Sequence, residues 1–79
     1  FLVDSIFVSA NLSKSDFSFA DLTGADFTSA VFIDAALTGT VADLTVFTNA
    51  NLSKASFLGA SLDGADFSGA NLTDTVFVL

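Results

Sequence analysis

Residues 51–66 read NLSKASFLGASLDGAD, and residues 11–26 read NLSKSDFSFADLTGAD. Both stretches place Leu or Phe at every fifth residue, and the same spacing runs through the whole chain. When the sequence is divided into blocks of five from residue 1, the second position is Leu or Phe in fifteen of sixteen blocks, with Ala42 as the exception. The fifth position is always Ala, Ser or Thr. An unbroken internal repeat of this kind predicts a stacked architecture.

A period of five fits neither of the regular elements. A helix turns about 100° per residue, so Leu and Phe at every fifth residue would scatter around the whole helix. A flat strand alternates with a period of two, so an odd period would place successive Leu and Phe side chains on opposite faces. The pattern instead predicts a short extended piece followed by a bend in every block.

Four such bends close a square, so twenty residues make one coil and the chain makes about four coils of four pentapeptides. Neighbouring coils are expected to stack at the interstrand spacing of about 4.8 Å. The small residue at the fifth position and the Leu or Phe at the second position point inward, and a narrow interior explains why the fifth position is small. The third and fourth positions form the bend.

The predicted core consists of four inner columns whose members are twenty residues apart. Its residues are Leu2, Phe7, Leu12, Phe17, Leu22, Phe27, Phe32, Leu37, Phe47, Leu52, Phe57, Leu62, Phe67, Leu72 and Phe77. Ala42 leaves room in the first column. Two alternatives remain open there: a core defect at Ala42, or a local bulge that turns Leu44 inward.

Several blocks, read from the small residue, carry a recognisable motif: ADLTG at 20–24, ADFTS at 25–29, ANLSK at 50–54, ADFSG at 65–69 and ANLTD at 70–74. They resemble the A(D/N)LXX motif of the pentapeptide-repeat family, and the resemblance covers essentially the whole chain. It implies an all-β solenoid, a right-handed quadrilateral β-helix. Residues 1–79 are expected to form a single domain, either by themselves or as a segment of a longer array.

Composition narrows the function. The chain has 79 residues, nine Asp, two Lys and a net charge of −7, which disfavours nucleic acid and anionic membranes as direct partners. No apolar run approaches the 18 or so residues of a membrane-spanning helix, so no membrane insertion is expected. The sequence predicts a soluble protein, cytoplasmic or exported, and the absence of cysteine does not choose between these compartments.

Catalysis is disfavoured by the residue types. The chain has no His, Cys, Tyr, Arg or Glu, and no Ser lies in a nucleophile motif such as G-x-S-x-G. General acid and base chemistry requires titratable groups gathered in a pocket, whereas a filled β-helix offers columns and flat faces. The sequence therefore predicts a protein that is not an enzyme, binds no cofactor or metal, and acts as a structural or interaction module.

Outward apolar residues break the polar pattern of the repeat and predict association. The candidate association surface is Phe1, Val3, Phe19, Leu58, Val76, Val78 and Leu79. The coil ends are also expected to offer unpaired edges. The expected partner is a second copy, bound laterally or end to end, or another protein.

Outward carboxylates give the alternative function. The candidate acidic face is Asp4, Asp21, Asp43, Asp63, Asp26 and Asp66. The family resemblance implies that such a surface can mimic DNA, since some members present it to DNA gyrase. In that case the partner is a basic protein such as a topoisomerase.

Overall fold

The computed structural model describes residues 2–78, and these residues contain no helix and no strand longer than a single bridged residue. The β structure consists of eleven isolated parallel bridges, the first between Ile6 and Asp26 and the last between Ser56 and Val76. Every bridge joins residues twenty apart. The two-residue turns occupy the third and fourth positions of each block, from 3–4 to 73–74. The chain therefore stacks on itself every twenty residues, and we call each such length a coil.

Each pentapeptide satisfies its backbone by a fixed pattern of hydrogen bonds. In residues 26–30, the second and fourth amides donate to the carbonyls of Val46 and Thr48 in the next coil, at 2.8 Å each. The first amide donates to Ser5 in the preceding coil at 2.9 Å, and the fifth amide donates to the second carbonyl at 3.0 Å. Only the third amide is left without a backbone partner. Two amides bind the next coil, one binds the preceding coil, and one closes the turn.

The turn itself requires a left-handed residue. The fourth position has a φ between 56° and 70° in every block from Asp4 to Asp74. Together with the bond from the fifth amide to the second carbonyl, this is the geometry of a type II turn, which favours Gly or Asn at that position. All five glycines of the chain lie there. Phe19 and Leu44 also lie there, although a bulky side chain adopts this conformation at a cost.

The core is a packed stack of Leu, Phe and small residues. The fully buried members of the predicted columns are Leu22, Phe27, Phe32, Leu37, Phe47, Leu52 and Phe57. The rings of Phe7, Phe27, Phe47 and Phe67 are parallel within 10°, with centroid distances of 5.2, 5.6 and 5.1 Å between neighbours. Such contacts stabilise a core beyond the burial of area alone. This ring column runs through all the coils that the structure describes.

The outer coils are less covered. The half-buried members of the predicted columns are Leu2, Phe7, Leu12, Phe17, Leu62 and Phe67. Leu72 and Phe77 differ from the prediction, because both are more than a third exposed. Their backbones continue the repeat, and the Phe77 ring stacks on Phe57 at 5.2 Å. They are exposed because no residue of the described chain packs beyond them.

The small residue in the first column is a core residue. Ala42 is fully buried, and its amide donates to Ser61 at 2.8 Å, as the regular pattern requires. Leu44 is 64% exposed, so the alternative of an inward Leu44 in a bulge is wrong. Thr40 and Thr45, which replace the usual Ala on either side, are fully buried. The Thr45 hydroxyl donates to the Leu22 carbonyl at 2.7 Å, so the extra polar atom is satisfied.

We expect Ala42→Leu to destabilise the protein by about 1–3 kcal/mol, because the larger side chain overpacks an interior that Thr40 and Thr45 already fill. No pocket opens among residues 2–78 to receive it. Urea denaturation measures the loss. Combining Ala42→Leu with Thr45→Ala should cost less than the sum of the single changes, since the two sites share volume. A higher stability of Ala42→Leu alone would show that the space is empty.

Substituting two glycines of one column distinguishes the cost of backbone strain from the cost of steric contact. A Cβ on Gly39 would lie 2.6 Å from two atoms of the Phe19 ring, whereas a Cβ on Gly59 would meet nothing within 4 Å. Their φ values are 65° and 70°. We expect Gly59→Ala to lose about 1–2 kcal/mol from the left-handed backbone alone, and Gly39→Ala to lose more. Equal losses in urea denaturation would show that the Phe19 contact has no cost.

Candidate association surface

The described members of the predicted association surface are all exposed to solvent. Phe19 is 80% exposed and Val78 is 61% exposed, and Val3, Leu58 and Val76 are each more than 40% exposed. Phe1 and Leu79 lie outside the described residues. Covering large apolar side chains of such exposure removes apolar surface from water, so these positions can contribute to association by burial.

Four of the apolar residues share one side of the coils. Parallel bridges link Ala36 to Ser56 and Ser56 to Val76. The amides on either side of Leu58 donate to Val76 and Val78, at 2.8 and 2.7 Å, so Leu58 and Val78 are neighbours in adjacent coils. We call this set the apolar face: Ala36, Leu58, Val76 and Val78. On this side of the described chain the charged residue is Asp16, in the first coil.

The structure does not bring Val3 to the apolar face. Val3 belongs to the column of Thr23, Asp43 and Asp63, in which successive third positions lie one coil apart. The neighbour of Val3 in this column is the polar Thr23, and Asp43 and Asp63 are the later members. The predicted surface is therefore divided, and the apolar face contains three of its five described members.

Phe19 stands at the corner next to the apolar face. Its backbone φ is 63°, and its ring lies against Gly39, one coil further on. Below Gly39 comes Gly59, where nothing lies within 4 Å of the position that a Cβ would take. We call the open space at Gly59 the glycine notch. The corner thus presents the exposed Phe19 ring at the level of Gly39 and, one coil further along the same column, the glycine notch.

Leu44 is an exposed apolar residue that the sequence interpretation missed. It has a φ of 58° and packs on Gly64 in the same manner as Phe19 on Gly39. The signal was present in the sequence: Leu44 occupies the fourth position of its block, as Phe19 does, and a glycine follows twenty residues later in both cases. The core pattern hid it, because Ala42 at the second position suggested an inward Leu44.

All seven Asp and Asn side chains at first positions cap the turn of their own block. Seven third-position amides, the ones without a backbone partner, donate to the Oδ1 of the residue two positions earlier, at distances from 2.8 to 3.2 Å. These Asx turns replace a missing backbone bond. The capping residues are Asn11, Asp16, Asp21, Asp26, Asn51, Asp66 and Asn71. Asp21, Asp26 and Asp66 of the predicted acidic face therefore also stabilise the backbone.

Asp43 makes a similar bond across coils. Its Oδ1 accepts the Ser61 hydroxyl at 2.6 Å and the Asp63 amide at 3.0 Å. Ser61 stands where an Asp or Asn usually caps the turn, so Asp43 supplies the missing acceptor from the preceding coil. Asp4, another member of the acidic face, lies over Gly24. Within residues 2–78 no three potential metal-ligating side chains gather.

The capping bonds change the acidity of four carboxyl groups. The hydroxyl of the residue two positions later is the first cause that lowers the pKa of Asp16, Asp21, Asp26 and Asp66, and the backbone amide of the same residue is the second. Desolvation opposes both. The ionised form is favoured because it accepts both bonds. The folded protein therefore binds these protons less readily than the unfolded chain.

Comparisons with known proteins agree with the geometry. The family model for the pentapeptide repeat region matches residues 10–78, so the chain belongs to the pentapeptide-repeat family. Members of this family are right-handed quadrilateral β-helices. A comparison with curated proteins gave no match. Among residues 2–78 the structure has no helix long and apolar enough to cross a membrane.

Two solved structures from a cyanobacterium are similar to the chain. The protein alr5209 of Nostoc PCC 7120, a pentapeptide repeat protein, is 27% identical over 87% of this chain and 57% of its own, with a TM-score of 0.82. HetL of Nostoc sp. strain PCC 7120, involved in heterocyst differentiation regulation, is 24% identical over 95% of this chain and 46% of its own, with a TM-score of 0.59. The chain thus spans about half the length of these proteins.

The capping carboxylates predict acid sensitivity. Their pKa values are lowered in the folded state, so their contribution to stability is present above the unfolded pKa and is lost as the pH falls through the folded pKa. We expect the melting temperature to fall between roughly pH 5 and pH 2. Replacing Asp16, Asp21, Asp26 and Asp66 by Asn should reduce this slope while keeping the turns, because Asn11, Asn51 and Asn71 already cap in the same way.

The matched change to Ala tests the cap itself. Asp26→Ala should lower the melting temperature at neutral pH, whereas Asp26→Asn should leave it nearly unchanged. The Ala variant loses the acceptor for the Thr28 amide and hydroxyl, and Asn retains an oxygen in the same place. Equal melting temperatures of the two variants at pH 7 would contradict a capping role.

Proposed function

We propose that this chain is a non-catalytic interaction module that binds a protein partner through the apolar face and the adjoining Phe19 corner. The observation that carries the proposal is a side of the molecule with exposed Leu and Val in adjacent coils and with a single charged residue, in a chain of net charge −7. Apolar patches of this kind mark association sites. The family's members are generally structural or interaction proteins.

The proposed architecture is a right-handed quadrilateral β-helix of about four coils, forming one domain or part of a longer array. Its support is the unbroken twenty-residue bridge spacing and the resemblance to alr5209. A rigid frame suits binding, because its side chains are held in place before the partner arrives and little ordering entropy remains to be lost. Leu58 and Val78 are fixed in this way by the bonds between their coils.

The acidic alternative, a DNA mimic that binds gyrase or another topoisomerase, has weaker support. Asp21, Asp26 and Asp66 are explained by the turns that they cap. Asp43 is explained by its bonds to Ser61 and Asp63. Four of the six carboxylates of the predicted acidic face therefore have a structural role. A charge-driven contact also has a distinct signature, since added salt weakens it.

The test compares two matched pairs of substitutions in a capture experiment from extracts of the source organism and in light scattering of the purified protein. The face variant is Leu58→Ser with Val78→Ser. The control is Ile6→Ser with Val8→Ser, two exposed apolar residues from another side of the coil. We expect the wild type and the control to retain the same associated protein, whether a second copy or another chain, and the face variant to lose it.

Equal retention by all three proteins, or by none of them, contradicts the proposal. Binding that disappears in high salt and in Asp21→Asn with Asp63→Asn, but persists in the face variant, favours the acidic alternative instead. Circular dichroism at each stage checks that the variants are folded. The two functions therefore predict opposite effects of the apolar and the acidic substitutions on binding.

A further inference from the structure

We propose that the partner is a second copy of this chain, and that two copies pair about a two-fold axis with the Phe19 ring of each seated in the glycine notch of the other. The inference rests on the proposed function and adds the identity of the partner and the geometry of the contact. It is drawn from how the chain covers its own glycines, from the charge around the corner, and from the area that one side offers.

The chain shows what normally covers a fourth-position glycine. Asp4 lies over Gly24, Phe19 over Gly39, Leu44 over Gly64 and Asn49 over Gly69. In each case the cover comes from the residue twenty positions earlier. Gly59 differs, because the residue twenty positions earlier is Gly39, which has no side chain. No residue of 2–78 covers the notch at Gly59.

The ring and the notch are self-complementary. They belong to one column, and the Phe19 ring lies at the level of Gly39, one coil from Gly59. A two-fold axis perpendicular to the stack, passing between the coils of Gly39 and Gly59, brings the ring of each copy to the notch of the other. This is an isologous contact, in which residue i meets j and j meets i. Leu58, beside the notch, extends the contact onto the apolar face.

The charge around Gly39 and Gly59 permits contact with a partner of the same sequence. Each copy carries a net charge of −7, so two copies repel each other over most of their surface. Residues 37–41 and 57–61, which surround Gly39 and Gly59, contain no charged side chain. A second copy therefore meets no charged side chain directly at these two coils. Added salt should leave the dimer unchanged or strengthen it, because screening reduces the remaining repulsion.

The available area sets the strength of the pairing. The principal extents of the backbone are 24 × 24 × 20 Å, so a whole side offers about 480 Å² and the contact of two copies buries at most about 1,000 Å² in total. That total is near the lower limit for a specific interface. The pair should accordingly be weak and reversible, with a dissociation constant on the order of micromolar. Its detection requires a concentration series.

Sedimentation velocity of the full chain over a wide concentration range tests the proposal. The wild type should shift from monomer to dimer. Phe19→Gly should weaken dimerisation at least about tenfold, as loss of a central aromatic does, with no loss of thermal stability, since glycine accepts the positive φ. Gly59→Asn should weaken it similarly, because Asn tolerates this φ and its side chain fills the notch.

Leu44→Gly is the matched control. Leu44 is also an exposed apolar residue with positive φ that packs on a glycine, but it lies at another corner, and this variant should dimerise as the wild type does. A strictly monomeric wild type, a dimer that survives Phe19→Gly, equal losses in Phe19→Gly and Leu44→Gly, or a dimer weakened by salt each overturn the inference.

The outcomes separate this inference from the proposed function. If the wild type is monomeric but a different protein is captured and is lost in the Leu58→Ser, Val78→Ser variant, the second-copy geometry is wrong and the interaction module stands. If a dimer forms and survives Phe19→Gly but not the face variant, the partner is right and the seating of the ring is wrong, which also overturns the inference. The proposed function and the second-copy geometry both fail if none of the variants changes dimerisation or the capture of another protein.

Discussion

The structure depends on one constraint: the chain must turn with a left-handed residue every five positions. That residue closes a bond from the fifth amide to the second carbonyl and directs the second and fourth amides to the next coil. No strand longer than one bridged residue forms among residues 2–78, so the cohesion between coils comes from the repetition of this bond set. The core columns follow from this turn. Because all blocks have the same length, the second residue of a block lies directly above the second residue of the block twenty residues later.

The same constraint explains the position of four of the nine Asp residues. A turn with both flanking residues inward leaves the third amide without a backbone acceptor, and the first side chain is the nearest group that can reach it. Asp and Asn supply that acceptor equally well, as Asp26 and Asn51 show. The four Asp residues that cap turns therefore have a structural role that does not depend on their charge. A negative surface on this fold therefore carries less information about partners than its apolar exceptions do.

The sequence predicted which positions point inward better than it predicted how deeply each side chain is buried or where a fourth-position side chain points. The period of five located the inner positions, and Phe27, Phe47 and Leu52 are buried where the pattern placed them. The side chains of Leu72 and Phe77 are more exposed, because burial depends on a covering coil and residue type does not report it. Leu44 was misjudged for another reason: hydrophobicity argued for an inward side chain, but the backbone φ at the fourth position directs it outward. The sequence shows Thr40 and Thr45 in place of the usual Ala, but it does not report that both side chains are fully buried beside Ala42.

The position of the glycines leads to a rule for exposed apolar residues in this fold. A side chain at the fourth position projects onto the fourth position of the next coil, so a bulky apolar group there needs a glycine twenty residues later. Phe19 with Gly39 and Leu44 with Gly64 obey this requirement. The backbone of both would be less strained with glycine or asparagine in their place. Residues that cost backbone stability, lie in solvent and require a second position to be glycine are maintained by something other than the fold, and strain of this kind concentrates at functional sites. Phe19 meets these conditions beside the apolar face, so it is the exception to the repeat on which the proposed association rests.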